Sequence, residues 1–461
     1  MALLWRGALQ GCRLGAPPPA AALVAEQSDR DRLGQVQPAR RRSHGPLSSR
    51  RPRGPRAGGE PPTTGTLGSM TPRQPREAFL DRPLRIGLMG TRGIPASYGG
   101  FETFYEHLAP RLAARGHHVA VYNRPHVTGH TDLAWYRGVR LHHIPSIRTK
   151  HLDTISHTTI SVLHGALQRF DIVYVCGVGN TSLAWVPRLF GAAVVLNVDS
   201  ADWKRAKWGG IASRYLRGVE RLTAVAANVV VADNPVIRDR YLVQYGIEAV
   251  YSPYGASFTP DAGTEALDTF GLVPDRYVLW VGRLEPETRV EELIAAFRLA
   301  LPNEMRLVIV GDAPFAGGYR DRLHGLGGPD VIFTGYQYGA AYRQLTTHAF
   351  AYVQTSPTSG TSPALLEQMA AGNAVIVRGT ETNRAVIADA GLSYDPEDPV
   401  DGLADCLRLL QDAPRRAVLR SHAQARAERE YNWDRITDDY EVMFTRFARR
   451  RHGSKRVSTR R

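Results

Sequence analysis

Cysteine is scarce in this 461-residue chain: Cys12, Cys176 and Cys406 stand far apart. Three scattered thiols make neither a disulfide framework nor a thiolate metal site, and a reducing cytoplasm suits them best. No uninterrupted apolar run reaches the length of about 18 that a bilayer crossing needs, so any membrane attachment is expected to be peripheral. The 15 histidines show no His-Glu-x-x-His spacing, which removes that zinc signature. Basic charge is also missing where the chain should fold. Taking the +7 of residues 1–69 and the +8 of residues 443–461 from the net +14 leaves about −1 for residues 70–442. Nucleic acid is therefore an unlikely partner. The basic ends suit any polyanion, an anionic membrane surface included.

Residues 1–80 are dense in Arg, Pro, Gly and Ala and read as a disordered basic leader. Glu26, Asp29 and Asp31 weaken the case for a transit peptide, and no clean apolar core marks a secretion signal. The expected explanation is a start at Met70, with the preceding residues not translated.

From Leu84 onward, short apolar runs alternate with amphipathic stretches. Strands are expected near 84–89, 118–122, 139–144, 171–176, 193–198, 228–232 and 249–252. The turn-rich Tyr254–Gly263 segment then interrupts the rhythm, which restarts near 277–281, 306–310, 330–333, 350–353 and 374–377. Two doubly wound parallel sheets follow from this βαβ pattern. The fold class is α/β, two Rossmann-like domains facing across a cleft, where ligands of open α/β sheets bind.

Three loops carry the chemistry. Met89-Gly-Thr-Arg-Gly-Ile-Pro-Ala-Ser-Tyr-Gly-Gly-Phe-Glu-Thr103 joins a strand to a helix start, where backbone N–H groups and the helix dipole favour an anion. Its spacing is not Gly-x-Gly-x-x-Gly, so the dinucleotide fingerprint does not apply; a tight packing turn is the plainer alternative. Tyr277-Val-Leu-Trp-Val-Gly-Arg-Leu-Glu-Pro-Glu287 is a second buried strand ending in glycine. Gly360-Thr-Ser-Pro-Ala-Leu-Leu-Glu-Gln-Met-Ala-Ala-Gly372 is a small polar loop entering a helix.

Together these segments resemble the sugar-nucleotide-dependent glycosyltransferases of family 4, which have the GT-B architecture. The Gly90-Thr-Arg-Gly-Ile-Pro-Ala start and the Asn197-Val-Asp199 … Trp203-Lys-Arg-Ala-Lys-Trp208 segment are similar to the rhamnosyltransferase-like group. The resemblance runs from about Leu84 to about Phe447. It implies an acceptor-side domain over 81–255, a hinge over 256–270 and a nucleotide-sugar domain over 271–430. A helix over 431–448 crosses back to the first domain, and a basic tail fills 449–461.

The resemblance assigns roles residue by residue. Arg283, after Gly282, matches the diphosphate-binding arginine, whose guanidinium meets charge building on the leaving phosphate. The family's lysine five residues on is Thr288 here, and Arg289 is a candidate substitute. Glu367 matches the second glutamate of a Glu-x7-Glu motif that holds the ribose hydroxyls. The first falls at Ser359, so the sugar is expected to be read by Ser359, Gly360, Thr361 and Ser362. Contacts around Gly335 and Tyr336 would choose the base. Gly99 and Gly100 let the first-domain loop approach the phosphate or acceptor. Glu102 is either a helix-dipole partner or a substrate contact. Asp199 should open into the cleft as a third catalytic candidate. The loop bearing Trp203, Lys204 and Lys207 would seat a diphosphate-linked acceptor, or is a solvated basic turn.

The expected activity is transfer of a hexosyl group, with rhamnose from a thymidine diphosphate donor the first candidate, to a glycan or polyprenyl-diphosphate-linked acceptor in cell-surface polysaccharide synthesis. The family implies retention and no metal or other cofactor. Closure about the hinge would exclude water. A GT-B-fold sugar-nucleotide epimerase and a catalytically degenerate binding protein are the alternatives. The site is expected to be cytoplasmic, at the inner face of the plasma membrane if tails or acceptor hold it there.

Overall fold

The computed structural model describes residues 12–14, 82–96, 99–129, 131–149, 152–198, 210–301, 305–313, 317–357 and 360–458. β-Branched and apolar runs form two sheets. In spatial order the first contains Trp135–Tyr136, Val139–His143, His118–Asn123, Arg85–Met89, Ile172–Cys176, Ala193–Val198, Val229–Ala232 and Val250–Tyr251. All its neighbours pair in parallel except the short Trp135–Tyr136 edge.

The second sheet runs Cys12–Leu14, Leu392–Tyr394, Val375–Arg378, Ala351–Gln354, Tyr277–Val281, Arg306–Val310 and Val331–Gly335. Cys12–Leu14 joins it antiparallel to Leu392–Tyr394, so a three-residue piece of the leader expected to lack structure lies on a sheet edge. Each lobe thus repeats one plan. Its first strand sits mid-sheet, later strands add on one side, then the chain crosses to the other. That order leaves a crevice at the carboxyl ends of the two central strands, where loops diverge. In the first lobe these strands are Arg85–Met89 and Ile172–Cys176; in the second they are Tyr277–Val281 and Ala351–Gln354.

The central strands are buried on both faces, as parallel sheets covered by helices require. Expected helices near 101–115 and 235–244 appear at Gly100–Ala114 and Pro235–Tyr245. The stretch expected over 180–190 breaks into Thr181–Ala184 and Val186–Leu189, with Pro187 at the start of the second piece.

The last helix, Trp433–Ser458, returns to the first lobe and packs on Gly100–Ala114. Aromatic rings hold that crossing. Phe104 lies 6.0 Å from Trp433 and 5.4 Å from Tyr440, and the Tyr440 and Tyr174 hydroxyls are 3.1 Å apart. At its rim Arg115 meets Glu441 at 2.7 Å, and His117 lies 3.1 Å from the same carboxylate. The linker joins in where Ala256 N–H donates to the Tyr431 carbonyl at 2.6 Å. Gly255 must be small there, because a Cβ would sit 2.2 Å from the Trp433 ring. No helix among the described residues is long and apolar enough to cross a membrane.

Candidate active site

The second lobe's crevice is built from two loops. After Tyr277–Val281 the chain passes Gly282, whose N–H donates to Val310 O at 3.0 Å. Gly311 answers it from the next strand: a Cβ there would lie 1.7 Å from Gly282 O, and its φ of +140° suits glycine. Leu284 N–H donates to Asp312 O at 3.0 Å, so backbone bonds anchor the start of this turn. Arg283 is partly exposed beyond it, its guanidinium 3.1 Å from Glu285. Arg289 stands in the left-handed region (φ 56°), half exposed and 3.5 Å from Glu292.

The second loop follows Ala351–Gln354 and ends at the helix Pro363–Ala370. Trp280 Nε1–H donates to Thr355 Oγ1 at 3.0 Å, and the Thr355 hydroxyl donates to Thr288 O. These bonds tie the loop carrying Arg283 to the loop that leads to Glu367. The Glu367 carboxylate accepts the Tyr342 hydroxyl at 2.8 Å, and Tyr342 oxygen accepts Gln368 Nε2–H at 3.3 Å. Burial pushes the Glu367 pKa up, with the Tyr342 hydrogen bond pulling against it. On the third loop Gly335 has φ 68°, and the exposed Tyr336 ring stacks on Tyr338 at 6.2 Å.

Across the cleft, Gly100 packs so tightly on the helix start that a Cβ would meet Pro363 Cγ at 3.2 Å. Gly100, Thr103, His107, Trp433 and Glu367 line one small cavity between the lobes. A second, open cleft of about 550 Å³ runs along linker residues 257–262 to Tyr342, Arg343 and the other side of Glu367. His107 is stacked on Trp433 at 4.7 Å, and burial, then the Arg111 charge, lowers its pKa.

Side chains occupy part of the first-lobe loop. Its amides are not bare: Arg92 N–H donates to Glu102 at 2.9 Å, Ile94 N–H to Asn123 at 3.1 Å, and Ala96 N–H to Glu106 at 2.8 Å. Glu102 is buried, folded back beside Gly99 at the helix start, and spent on the backbone; this favours the dipole-partner alternative over substrate contact. The helix start at Gly99 has no side-chain cap.

Two of the four small residues expected to read the sugar are also engaged. Thr361 N–H donates to Asp233 Oδ2 at 2.9 Å and its hydroxyl to Asp233 O at 2.8 Å. Ser362 Oγ caps its own helix by accepting Leu365 N–H. Gly360 remains as partly exposed backbone. Asp199, Trp203, Lys204, Lys207 and Ser359 lie outside the described residues.

Sequence reasoning missed the latch between lobes. Asp233 and Asn234 follow the first-lobe strand Val229–Ala232, and Asn234 Nδ2–H donates to Thr361 Oγ1 (3.5 Å) and Thr382 O (3.3 Å). Asn234 also caps its helix by accepting Val236 N–H at 3.0 Å. The Asn-Pro pair was a readable helix start; its reach into the other lobe was not. Among the described residues no group of three or more His, Cys, Asp or Glu could hold a metal ion.

Comparison with known proteins agrees with this architecture. Residues 275–412 match the family described as glycosyl transferases group 1, and residues 85–257 match a domain of unknown function, DUF1972. Sucrose-phosphate synthase from Thermosynechococcus elongatus superposes with a TM-score of 0.68 at 22% identity, over 79% of this chain and 98% of that one. HepE from Anabaena, solved with UDP-glucose, gives 0.65 at 18% identity, over 78% and 99%. The superpositions show the GT-B fold, and residues 275–412 are similar to the glycosyl transferases group 1 domain.

The chain is also similar to O-antigen chain mannosyltransferase B of Escherichia coli, 28% identical over 178 residues. That match covers 37% of this chain and 46% of the relative, so the chain spans less than half of that curated protein's length.

Proposed function

We propose that the chain moves a hexosyl group from a nucleotide-diphosphate sugar to a glycan or polyprenyl-diphosphate-linked acceptor, with retention, in cell-surface polysaccharide synthesis. The observation that carries this is the bonded pair of loops at the second lobe's crevice, which sets Arg283 and the Glu367 helix on adjacent strands opposite Gly100. Arg283 would leave Glu285 for the donor diphosphate, and Arg289 would stand in for the absent lysine. Glu367 would accept the ribose hydroxyls, backbone at Gly360 would meet the sugar, and the Tyr336–Tyr338 pair would face the base. The mannosyltransferase relative and the UDP-glucose-bound neighbour support this substrate class. The family 4, rhamnosyltransferase-like resemblance supports retention and a deoxyhexose.

In the proposed step the anomeric C–O bond to the diphosphate breaks and its electron pair stays on the phosphate oxygen. The acceptor oxygen bonds to the same face, and its proton passes to that departing phosphate. Arg283 stabilises the charge as it develops, where a fixed cation acts most on the transition state. A water-poor cleft matters because water is a competing acceptor. The Asp233–Thr361 latch supports closure at this point of the cleft.

The replacement of the first glutamate by Ser359 and of the lysine by Thr288 favours a second reading, a binding module without turnover. Incubation with candidate sugar nucleotides and no acceptor separates the cases. Slow donor hydrolysis is expected. An isomerised sugar would make the protein an epimerase, and binding without turnover would make it the inactive module. Calorimetry with thymidine, uridine and guanosine diphosphates identifies the base, and unaltered affinity in Arg283→Ala would strip that arginine of its role.

A further inference from the structure

The small cavity between the lobes is lined by a titratable group from each side, His107 and Glu367, and the donor chemistry proposed above uses only the second. His107 stands on the helix Gly100–Ala114, one turn beyond Thr103 and two beyond Gly100, so the three share one face. Its ring is fixed on two sides. It lies nearly flat against Trp433 at 4.7 Å, and the Arg111 guanidinium, one turn further on, donates to Nδ1 at 3.3 Å. A guanidinium has no lone pair to offer, so Nδ1 can only accept. Burial, then the Arg111 charge, favours the neutral ring; Glu106 and Arg137 are the other charges near it and act in opposite senses. The single ring proton therefore sits on Nε2, on the edge turned back from Arg111 toward Thr103 and Gly100. That N–H has no protein partner among the described residues.

Glu367 reaches the same cavity from the helix Pro363–Ala370. Its Oε2 accepts the Tyr342 hydroxyl at 2.8 Å, which leaves Oε1 for another donor. The Tyr352 hydroxyl is also close, but it donates to Gln354. On the open side Arg343 and Asp261 line the cleft and pair with each other at 3.4 Å. Among the described residues no cation is bonded to this carboxylate, and burial raises its pKa.

The cavity has a volume of about 10 Å³, room for a single water. The partners that a buried water needs are in place. His107 Nε2–H can donate to it, and Glu367 Oε1 can accept one of its hydrogens. The Thr103 hydroxyl gives its own proton to Gly99 O at 3.1 Å and can accept the other.

We propose that His107 is a positioning residue for Glu367: through one bound water its Nε2–H orients the carboxylate across the cleft and holds it ionised. An ionised carboxylate has about four lone-pair positions. Tyr342 and the water fill two, and two remain for vicinal hydroxyls arriving from the open cleft. This use in donor binding rests on the reading of Glu367 as the ribose acceptor; the bridge itself does not.

Carbon-13 NMR of the full chain with labelled glutamate carboxyls tests the bridge without any nucleotide, the Glu367 signal being assigned by its loss in Glu367→Gln. His107→Phe keeps a ring on Trp433 and deletes the donor, so the Glu367 titration midpoint should rise by about one pH unit. His107→Gln can still donate and should keep the parent midpoint. The best bound of thymidine, uridine and guanosine diphosphates should lose about fivefold in affinity for His107→Phe at pH 6 and much less at pH 8, where the carboxyl ionises in either protein. An unmoved midpoint in His107→Phe would overturn the proposal. So would an equal rise in His107→Gln, since packing alone would then explain it. If no diphosphate binds the parent, the ribose reading fails while the titration still decides the bridge. Should the phenylalanine variant not fold, a high-resolution crystal structure of the parent decides: an ordered water within hydrogen-bond reach of His107 Nε2 and Glu367 Oε1 is expected, and a dry cavity overturns the proposal.

Discussion

The loop after the first strand occupies the same topological place in both lobes, yet side chains hold far more of one than of the other. In the first lobe side chains do the holding: Asn123, Glu102 and Glu106 reach in to bond the amides of Ile94, Arg92 and Ala96. In the second lobe backbone bonds anchor the start of the loop, Gly282 on Val310 and Leu284 on Asp312, and the Thr355 hydroxyl closes its far end on Thr288 O. A loop fixed by its own backbone can turn its side chains toward a ligand. A loop held by Asn123, Glu102 and Glu106 has three of its amides engaged before any ligand arrives. The comparison fits the proposal that donor chemistry belongs to the second lobe, with Gly100 of the first lobe pressed on Pro363 across the cleft.

The strongest way to break the comparison is Gly311→Ala. The new methyl would overlap Gly282 O at 1.7 Å in a conformation that L residues resist. More than about 4 kcal/mol of destabilisation is expected in denaturant unfolding, because backbone on both sides cannot yield. Near-parent stability would mean that the glycine contact does not hold the turn. Next comes Arg283→Ala. Its effect should fall on rate, about a hundredfold in kcat or roughly 3 kcal/mol. As a partly exposed side chain it should leave the melting temperature almost unchanged.

Asn123→Ala should show the reverse pattern. Asn123 Oδ1 accepts Ile94 N–H and its Nδ2–H donates to Ile94 O at 2.6 Å, both in a buried setting. Deleting it strands two backbone groups and should cost about 2 kcal/mol of stability. The folded fraction should keep its kcat and donor affinity. A collapse of kcat with stability intact would place chemistry on the first-lobe loop and reverse the division of labour.

The doubly wound plan was legible because apolar runs of strand length alternate with helical stretches; the valine-rich runs at Ala193–Val198 and Val229–Ala232 could hardly be anything else. The short strand Leu392–Tyr394 was missed, since three residues carry no period to read. The glycine loops were found as loops, but their hydrogen-bond partners lie 10 to 29 residues away, which local pattern cannot reveal. Glu102 looked available on sequence alone because its acceptor role is satisfied by backbone. Thr361 also bonds Asp233, 128 residues distant in the other lobe, which local pattern cannot reveal.

The smallest expected effect is the most discriminating for Glu367. Burial raises its pKa from the ordinary 4.5, so the folded chain binds this proton more readily than the unfolded chain. The associated stability is therefore whole below about pH 4.5 and is lost as pH rises through the folded value. At neutral pH the carboxylate is a burden. Glu367→Gln removes it while keeping an oxygen for the Tyr342 hydroxyl. The variant should melt slightly higher at pH 7, by less than about 1 kcal/mol, with the gain shrinking toward acid pH. Nucleoside diphosphate affinity should fall in the same protein, because ribose hydroxyls donate better to a carboxylate than to an amide. A stabilised variant that binds as well as the parent would leave Glu367 a buried charge with no ligand to justify it, and the ribose site would have to lie elsewhere along the cleft.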